Sequence, residues 1–386
     1  MFAAGNFPRI AAPLLVCALL SAGPVAAQET SIIPGSTLTG VNTGVPTGDP
    51  DHGLPATGGL DMAVETAVVF KNLELFSLPD ILGRTYFLYL AAPRLRYRAA
   101  DDLFLEGGVL VGRNLGDDAP LDIHRPLLRL VHRALPGVQV IAGTLYPTHR
   151  IHDAILDDVQ KFRTEVEEGF QLRTDRVHYQ EDTWLNWRVR EGEVRAEEFE
   201  IASCHRLCLL ADRLHLEGQF MWSHAGGQVS SSGQVSQNLM YLAGASLGTP
   251  CDSGKGLMGG RLGYHHLYSR DDSDIKPLTT GGGQELWGRL DLRPRRGMLM
   301  RLGGARWWGD GLESGRGDPL YGLDDYSQLG VNLFLQPVGT GLAIEAGFVK
   351  QWTDAHRNLT YQLTMTWGRV FSLGRPRLSA HPGTAP

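Results

Sequence analysis

The chain has 386 residues, enough for one large barrel or two ordinary domains, with 48 Gly, 21 Pro, a charged fraction of 20% and a mean hydropathy of -0.15. Helical bundles seldom use so much glycine, which suits a turn-rich all-β protein, and a net charge of -6 with a pI near 6.1 leaves no footprint for nucleic acid. Beyond the amino terminus no stretch approaches the roughly 18 to 20 uninterrupted apolar residues of a membrane-spanning helix. A β-barrel hides its lipid face from hydropathy, because every second residue is polar.

Residues 1–27 combine a weakly basic start at Arg9, an apolar run from Ile10 to Leu20 and the small-residue site Val25-Ala26-Ala27. That is the pattern of a secretory signal cleaved near Ala27, and Cys17 would leave with it. Residues 28–60 are rich in Gly, Thr, Pro and Ser without period and read as a flexible or loosely plugging leader. From Asp61 the chain breaks into segments with period-2 character. Short connections fall near Ala99 to Asp102, Ala134 to Gly137, Ala211 to Arg213 and 249–256; longer ones fall near 72–83, 114–121, 148–164 and 224–234.

Several segments carry charges on alternate residues. Arg94, Arg96 and Arg98 share one face of a strand, Arg129 and Arg133 one face of another, and Trp184, Asn186, Arg188 and Arg190 one face of a third. Glu198 with Glu200, and His215 with Glu217 and Gln219, follow. In a barrel these positions either pair across a filled lumen or make a track for a polar or anionic solute, with rings stacking on sugar faces. Between the second and third segments, Ile151, Ile155, Leu156 and Val159 recur at helical spacing with Asp153, Asp157 and Asp158 opposite, which predicts a loop helix at the mouth. His149 and His152 beside Asp153 lack local third and fourth ligands, so no metal site is expected. Cys204 and Cys208 read as small lipid-facing or packing residues, and no cofactor is implied. His224 and Gln228 are loop candidates in Trp222-Ser-His-Ala-Gly-Gly-Gln228, where a glycine-permitted turn explains the sequence equally well.

The carboxyl half gives the clearest alternation. Leu286 to Leu292 connects to Met298 to Leu302 through Arg293-Pro-Arg-Arg-Gly297, and Leu329 to Leu335 connects to Leu342 to Phe348 through Gln-Pro-Val-Gly-Thr-Gly. In the last segment Leu359, Tyr361, Leu363, Met365, Trp367 and Phe371 face Thr360, Gln362, Thr364, Thr366 and Gly368. A soluble sandwich would bury the greasy face, whereas an outer-membrane barrel would turn it to lipid. The alternation of short and long connections favours the barrel. Aromatics such as Tyr86, Phe87, Tyr89, Trp184, Trp187, Trp222, Trp287, Trp307 and Trp308 supply candidates for an interfacial girdle. Residues 372–386 follow as a tail.

The run Gly143-Thr-Leu-Tyr-Pro-Thr-His149, then Glu168-Gly-Phe-Gln-Leu172, Asp182-Thr-Trp-Leu-Asn-Trp187 and His224-Ala-Gly-Gly-Gln228, resembles a group of uncharacterised bacterial outer-membrane barrels over roughly residues 65–250. The resemblance implies fold and location and carries no catalytic residues. With neither a GxSxG elbow nor an HExxH helix, the chain reads as a non-enzyme. A Ser/His/Asn lipase arrangement assembled in the barrel wall is the exception that sequence leaves open, because spatial neighbours need not be sequence neighbours.

The expectation is a single antiparallel transmembrane β-barrel of about sixteen strands (14–18) over residues 61–371, in the outer membrane of a Gram-negative cell. It would act as a passive channel for a small polar or anionic solute or a saccharide. The alternative is a non-conducting barrel that binds, exports or anchors a surface polysaccharide or a partner protein. Lipid, lipopolysaccharide and the barrel-assembly machinery are the expected partners.

Overall fold

The structure, a computed structural model, describes residues 56–75, 83–116, 123–157, 166–192, 195–226, 234–249, 258–274, 276–295, 297–337, 340–354 and 356–374. Residues 1–55, where the signal and most of the leader are expected, Gln228, Cys251 and the expected tail beyond Gly374 lie outside them. The first eight strands are β1 (Leu60–Leu75), β2 (Arg84–Arg98), β3 (Leu103–Asn114), β4 (Ile123–Leu135), β5 (Val138–Thr144), β6 (Glu168–Asp175), β7 (Tyr179–Val189) and β8 (Glu197–Leu209). The rest are β9 (Leu214–Gly226), β10 (Ser236–Thr249), β11 (Met258–Asp271), β12 (Thr279–Arg295), β13 (Met298–Asp310), β14 (Asp325–Leu335), β15 (Leu342–Trp352) and β16 (Arg357–Gly374). Each pairs antiparallel with its chain neighbours, and β1 pairs with β16 from Leu60↔Gly374 to Leu75↔Asn358. This closes a sixteen-strand cylinder with no free edge.

The alternation in the sequence sets which side of the wall each residue takes. On β16 Leu363 and Met365 are 43% and 40% exposed and face outward, while Thr364 between them is 2% exposed and faces the lumen. Leu128, Phe170, Leu247 and Leu329 project outward in the same way, and Arg94, Arg96, Arg129 and Glu200 are buried inside. Some aromatics depart from the expected girdle. Phe87, Tyr89, Trp187 and Trp308 are exposed on the outer wall, but Trp184, Trp287 and Trp307 occupy inward positions and are buried. Cys204 and Cys208 are free thiols that also face inward and are buried, so they pack within the barrel rather than against lipid.

Most connections at the rim carrying Leu60 and Gly374 are short, spanning only 136–137 after β4, 176–178 after β6, 210–213 after β8 and 296–297 after β12, with 250–257 after β10 the longest. The opposite rim carries the long ones, 145–167 and 311–324. The first rim is therefore the periplasmic side and the second the extracellular side. β5 and β6 are only 7 and 8 residues long, against 13 for β4 and 11 for β7. Both are cut short at their extracellular ends, so the wall is lowest there, and the chain leaving β5 turns into the lumen.

The expected mouth helix does not form within the described part of this connection. Residues 152–156 make one turn, closed by the N–H groups of Ile155 (2.8 Å) and Leu156 (3.1 Å) to the carbonyl of His152. The helical spacing has another cause. Ile151, Ala154, Ile155 and Leu156 all enter an apolar cluster with Trp184, Met221, Met240, Leu242, Leu267 and Trp307 from the inner wall. Leu312, Leu320 and Tyr321, from the 311–324 connection and its short 3₁₀ turn Pro319–Gly322, complete the cluster. The two connections are tied by Asp157 N–H to Arg316 O (2.9 Å) and Asp318 N–H to Asp153 O (2.8 Å). The extracellular half of the lumen is thus filled by a packed plug.

Candidate functional site

The plug is held by charges that close on themselves. Where the chain leaves β5, Arg129 donates from Nε to Thr144 O (2.7 Å) and from Nη2 to Leu145 O (2.8 Å), reaches Glu106 through Nη1 (2.8 Å) and covers the Tyr146 ring at 3.7 Å. Gln219 accepts the N–H of His152 (2.8 Å) and donates to Arg150 O (3.3 Å). His149 stacks on Trp184 with ring centroids 3.6 Å apart and planes 14° apart. Its Nδ1 faces Asp182 Oδ2 at 2.8 Å and its Nε2 faces Glu167 Oε2 at 2.6 Å. Burial opposes charge on this ring, but the two carboxylates outweigh it and raise the pKa from 6.5 to about 9. His149 is therefore an imidazolium at neutral pH with both N–H groups donated, which makes it a structural cation of the plug.

Deeper in, His152, His265 and Glu285 form one of two groups of His, Cys, Asp or Glu side chains that converge closely enough to share an ion among the described residues. Glu285 Oε2 lies 3.0 Å from His152 Nε2 and 3.0 Å from His265 Nδ1, and Tyr321 donates to its Oε1 at 3.2 Å. The remaining ring nitrogens decide the chemistry. His152 Nδ1 accepts the N–H of Ala154 (3.1 Å), and His265 Nε2 accepts the indole N–H of Trp287 (3.2 Å). Burial works against a charge on His152 and Glu285 for it, with a net rise in pKa. A second proton, however, would have to sit on Nδ1, where the Ala154 N–H already points. Both rings thus carry their proton on the nitrogen aimed at Glu285, which an ion would need bare. The group reads as a carboxylate clasped by three donors.

A different arrangement lies on the outer wall. Ser203 and His205 are two apart on β8 and share the parity of its outward face, flanking the inward Cys204, with His205 partly exposed and Ser203 itself only 2% exposed. On β7, Tyr179, Glu181 and Thr183 take the outward face opposite the inward Asp182 and Trp184. Pairing in the register Glu181↔His205 and Thr183↔Ser203 joins the two sets. Ser203 Oγ lies 2.6 Å from His205 Nε2 and 2.6 Å from Thr183 Oγ1, and His205 Nδ1 lies 2.8 Å from the Tyr179 hydroxyl. Thr183 Oγ1 is 3.0 Å from Glu181 Oε1, and Thr174 donates to the same carboxylate at 3.2 Å.

Two hydrogen-bond orders satisfy this chain. In one, Tyr179 donates to His205, His205 to Ser203, Ser203 to Thr183 and Thr183 to Glu181. In the other, Thr183 donates to Ser203, Ser203 to His205 and His205 to Tyr179, which leaves a serine hydroxyl donating to a neutral imidazole, the starting point of nucleophilic catalysis. Beside the pair the wall is hollow. Gly218 faces His205 across β8 and β9, Ala243 faces Gly218 across β9 and β10, and a Cβ built on Gly218 meets nothing within 4 Å. Leu216 and Phe220 flank this trough on β9, with Tyr241 beside Phe220 at a ring distance of 6.5 Å.

The residues singled out by sequence fall into three places. Arg129, Trp184, Gln219, His149 and His152 hold the plug. Inward ion pairs take Arg94 with Glu65 (2.7 Å), Arg96 with Glu106 (3.3 Å), Arg188 with Glu198 (2.9 Å), Glu217 with Arg206 (3.1 Å) and His215 with Asp212 (2.5 Å). Arg133 covers the Phe104 ring at 5.1 Å, and Asn186 accepts the Glu168 N–H at 3.1 Å. His224 is not in a loop. It sits on the outward face of β9 against Phe199 (4.9 Å) and Trp222 (5.9 Å) in an aromatic row, because its parity is that of Leu216 and Phe220. Sequence reading passed over Ser203, His205, Tyr179 and Thr183. The i,i+2 spacing of Ser203 and His205 was the one available signal, and it is common by chance.

No curated protein sequence matches the chain. Among solved structures, OmpT of Vibrio cholerae, an outer-membrane protein in its trimer form, is similar at 9% identity with a TM-score of 0.51, covering 80% of this chain and 100% of that one. An anion-selective porin of Comamonas acidovorans aligns at 10% identity with a TM-score of 0.47, over 80% and 98% of the two chains. OccK11 of Pseudomonas aeruginosa aligns at 11% with a TM-score of 0.49, over 82% and 100%. The first of these places the fold among outer-membrane barrels. A family model described as lipid A 3'-O-deacylase-type matches residues 49–333. That overturns the reading of the chain as a non-enzyme, since the family is defined by an ester-cleaving activity and the matched span includes the whole Ser203–His205 relay. With well over half of its length matched, the chain belongs to the lipid A 3'-O-deacylase-type family of outer-membrane β-barrels.

Proposed function

We propose that the protein hydrolyses an ester-linked acyl chain of a membrane lipid of the lipid A class, using the relay on its outer wall. The observation that carries this reading is the hydrogen-bonded Ser203–His205–Tyr179 series on the outward face of β7 and β8, toward the periplasmic rim, beside the open space over Gly218. Polar and ionisable groups at membrane depth are costly and mark function more often than structure. Ser203 Oγ attacks the ester carbonyl while its proton passes to His205 Nε2. The imidazolium so formed donates Nδ1–H to Tyr179, and the departing sugar alkoxide takes the proton from Nε2. Water, deprotonated in turn by His205, cleaves the acyl-Ser203 ester and releases a free fatty acid. Thr183 offers a hydroxyl donor next to the attacked carbonyl.

The test is mass spectrometry of lipid A incubated with the purified barrel. Loss of one acyl chain is expected with the wild type and with His149→Gln, and none with Ser203→Ala or His205→Gln. Turnover that survives Ser203→Ala but vanishes in His149→Gln would move the chemistry into the lumen. Conduction is the second reading, favoured by a closed sixteen-strand wall of a size that can enclose water and by the inward arginines. The apolar plug weighs against it at neutral pH.

A further inference from the structure

The second converging group lies at the periplasmic mouth and has no part in the relay or the plug. We propose that Cys208, Asp212 and His215 form a Zn²⁺ site. Cys208 and His215 face each other across β8 and β9, both inward and buried, and Asp212 closes over them from the intervening turn. A sulfur, a carboxylate oxygen and an imidazole nitrogen then lie within 4.8 Å of one another, with Asp212 Oδ1 2.5 Å from His215 Nε2. Thiolate and imidazole donors select zinc over magnesium or calcium, and three protein ligands leave a fourth position for water.

The backbone gives an independent reason. Leu210, Ala211 and Asp212 have φ of 52°, 53° and 68°, three consecutive non-glycine residues in the left-handed region that L side chains avoid. Glycine or asparagine would make this turn without strain, and strain kept at consecutive positions is characteristic of ligand clamps. Arg261 pins the strained turn by donating from Nη2 to the carbonyl of Asp212 (2.6 Å), while its closest approach to the Asp212 carboxylate is 3.8 Å. The carboxylate is thereby left to the mouth of the Cys208–His215 pair. Binding would displace to solvent both the thiol proton and the proton shared by His215 Nε2 and Asp212 Oδ1, leaving the metal on thiolate, imidazole nitrogen and carboxylate.

The experiment uses the full-length mature barrel, purified, stripped with chelator and titrated with Co²⁺ as a spectroscopic stand-in for zinc. One equivalent per chain with a thiolate-to-cobalt charge-transfer band in the near ultraviolet is expected. Zn²⁺ should bleach it, Cys208→Ser should abolish it, and Asp212→Asn should weaken binding at least about tenfold. Cys204→Ser and Cys251→Ser should leave the band unchanged, which separates this site from the other thiols. Absence of the band in the folded wild type, or its survival in Cys208→Ser, would overturn the assignment. Lipid deacylation by the chelated protein is read separately, so the zinc site and the relay stand or fall independently.

Discussion

Replacing His149 by glutamine tests the plug at its most charged point. The ring sits between Glu167 and Asp182 on the face of Trp184, and its pKa is raised from 6.5 to about 9. At 1.36 kcal/mol per unit this corresponds to about 3 kcal/mol of preference for the imidazolium in the folded state. Because the folded value lies above the ordinary one, that stabilisation is complete below about pH 6.5 and is lost as the pH rises through about 9. The plug should therefore loosen on the alkaline side. In planar bilayers the wild type should be closed near neutrality and show growing open probability from about pH 8 upward. Glutamine keeps the shape but not the charge, and it leaves two carboxylates facing each other across a neutral amide. His149→Gln should conduct already at neutral pH and show no inflection near pH 9. A wild-type record flat between about pH 7 and about pH 10, or an unchanged inflection in the variant, would refute the reasoning.

Gly218→Leu should fold normally, since its Cβ has open space, but should fill the trough beside His205. Turnover of long-chain esters should fall by roughly tenfold or more while short-chain esters are spared, as read by kcat/KM against chain length. Gly317→Ala should dislodge the plug, because the new Cβ would meet the carbonyl oxygen of Ala154 at 2.0 Å. A cost of about 1 to 3 kcal/mol is expected from such overpacking, seen as faster proteolysis of the 145–157 segment with deacylation retained.

The wall was legible from period alone. Leu359 to Phe371 alternates without a break, and each greasy residue had to go one way once its polar neighbours went the other. The rims were legible too, because short turns such as 136–137 and long connections such as 311–324 leave marks in glycine and charge. The interior was not. Ile151, Ile155 and Leu156 imitate a helix face because a buried coil needs apolar side chains as much as a helix does, and periodicity cannot tell the two apart. Trp184 and Trp307 read as girdle residues in the sequence because composition marks a ring as aromatic but does not say on which side of the wall it lies. The relay was hidden for a further reason. Tyr179 and His205 are 26 residues apart and meet only through the register of β7 on β8. No local motif encodes that register.

Glu181 offers the sharpest test of whether the outward polar chain is catalytic or merely self-satisfied. A carboxylate on the lipid face costs a barrel stability, less than the roughly 2 to 4 kcal/mol of a midplane Arg or Lys, and here Thr183 and Thr174 donate to it. If the chain were only a polar patch, Glu181→Gln would be neutral to stabilising, since the amide oxygen still accepts from one threonine and the amide N–H can donate to the hydroxyl of the other. If the relay works, the charge on Glu181, which pairs with His205 across β7 and β8, balances the imidazolium that forms as Ser203 attacks. Glutamine offers that imidazolium no charge, and this loss outweighs the freer donation of Thr183 to Ser203. The expected result is a barrel that unfolds at higher denaturant, by about 1 kcal/mol, yet deacylates more slowly, with the loss in kcat rather than KM. A variant with unchanged kcat would assign the carboxylate to the wall alone. One with lower kcat and unchanged stability would mean that the charge is already solvated at that depth, and that the trough beside His205 admits water along with lipid.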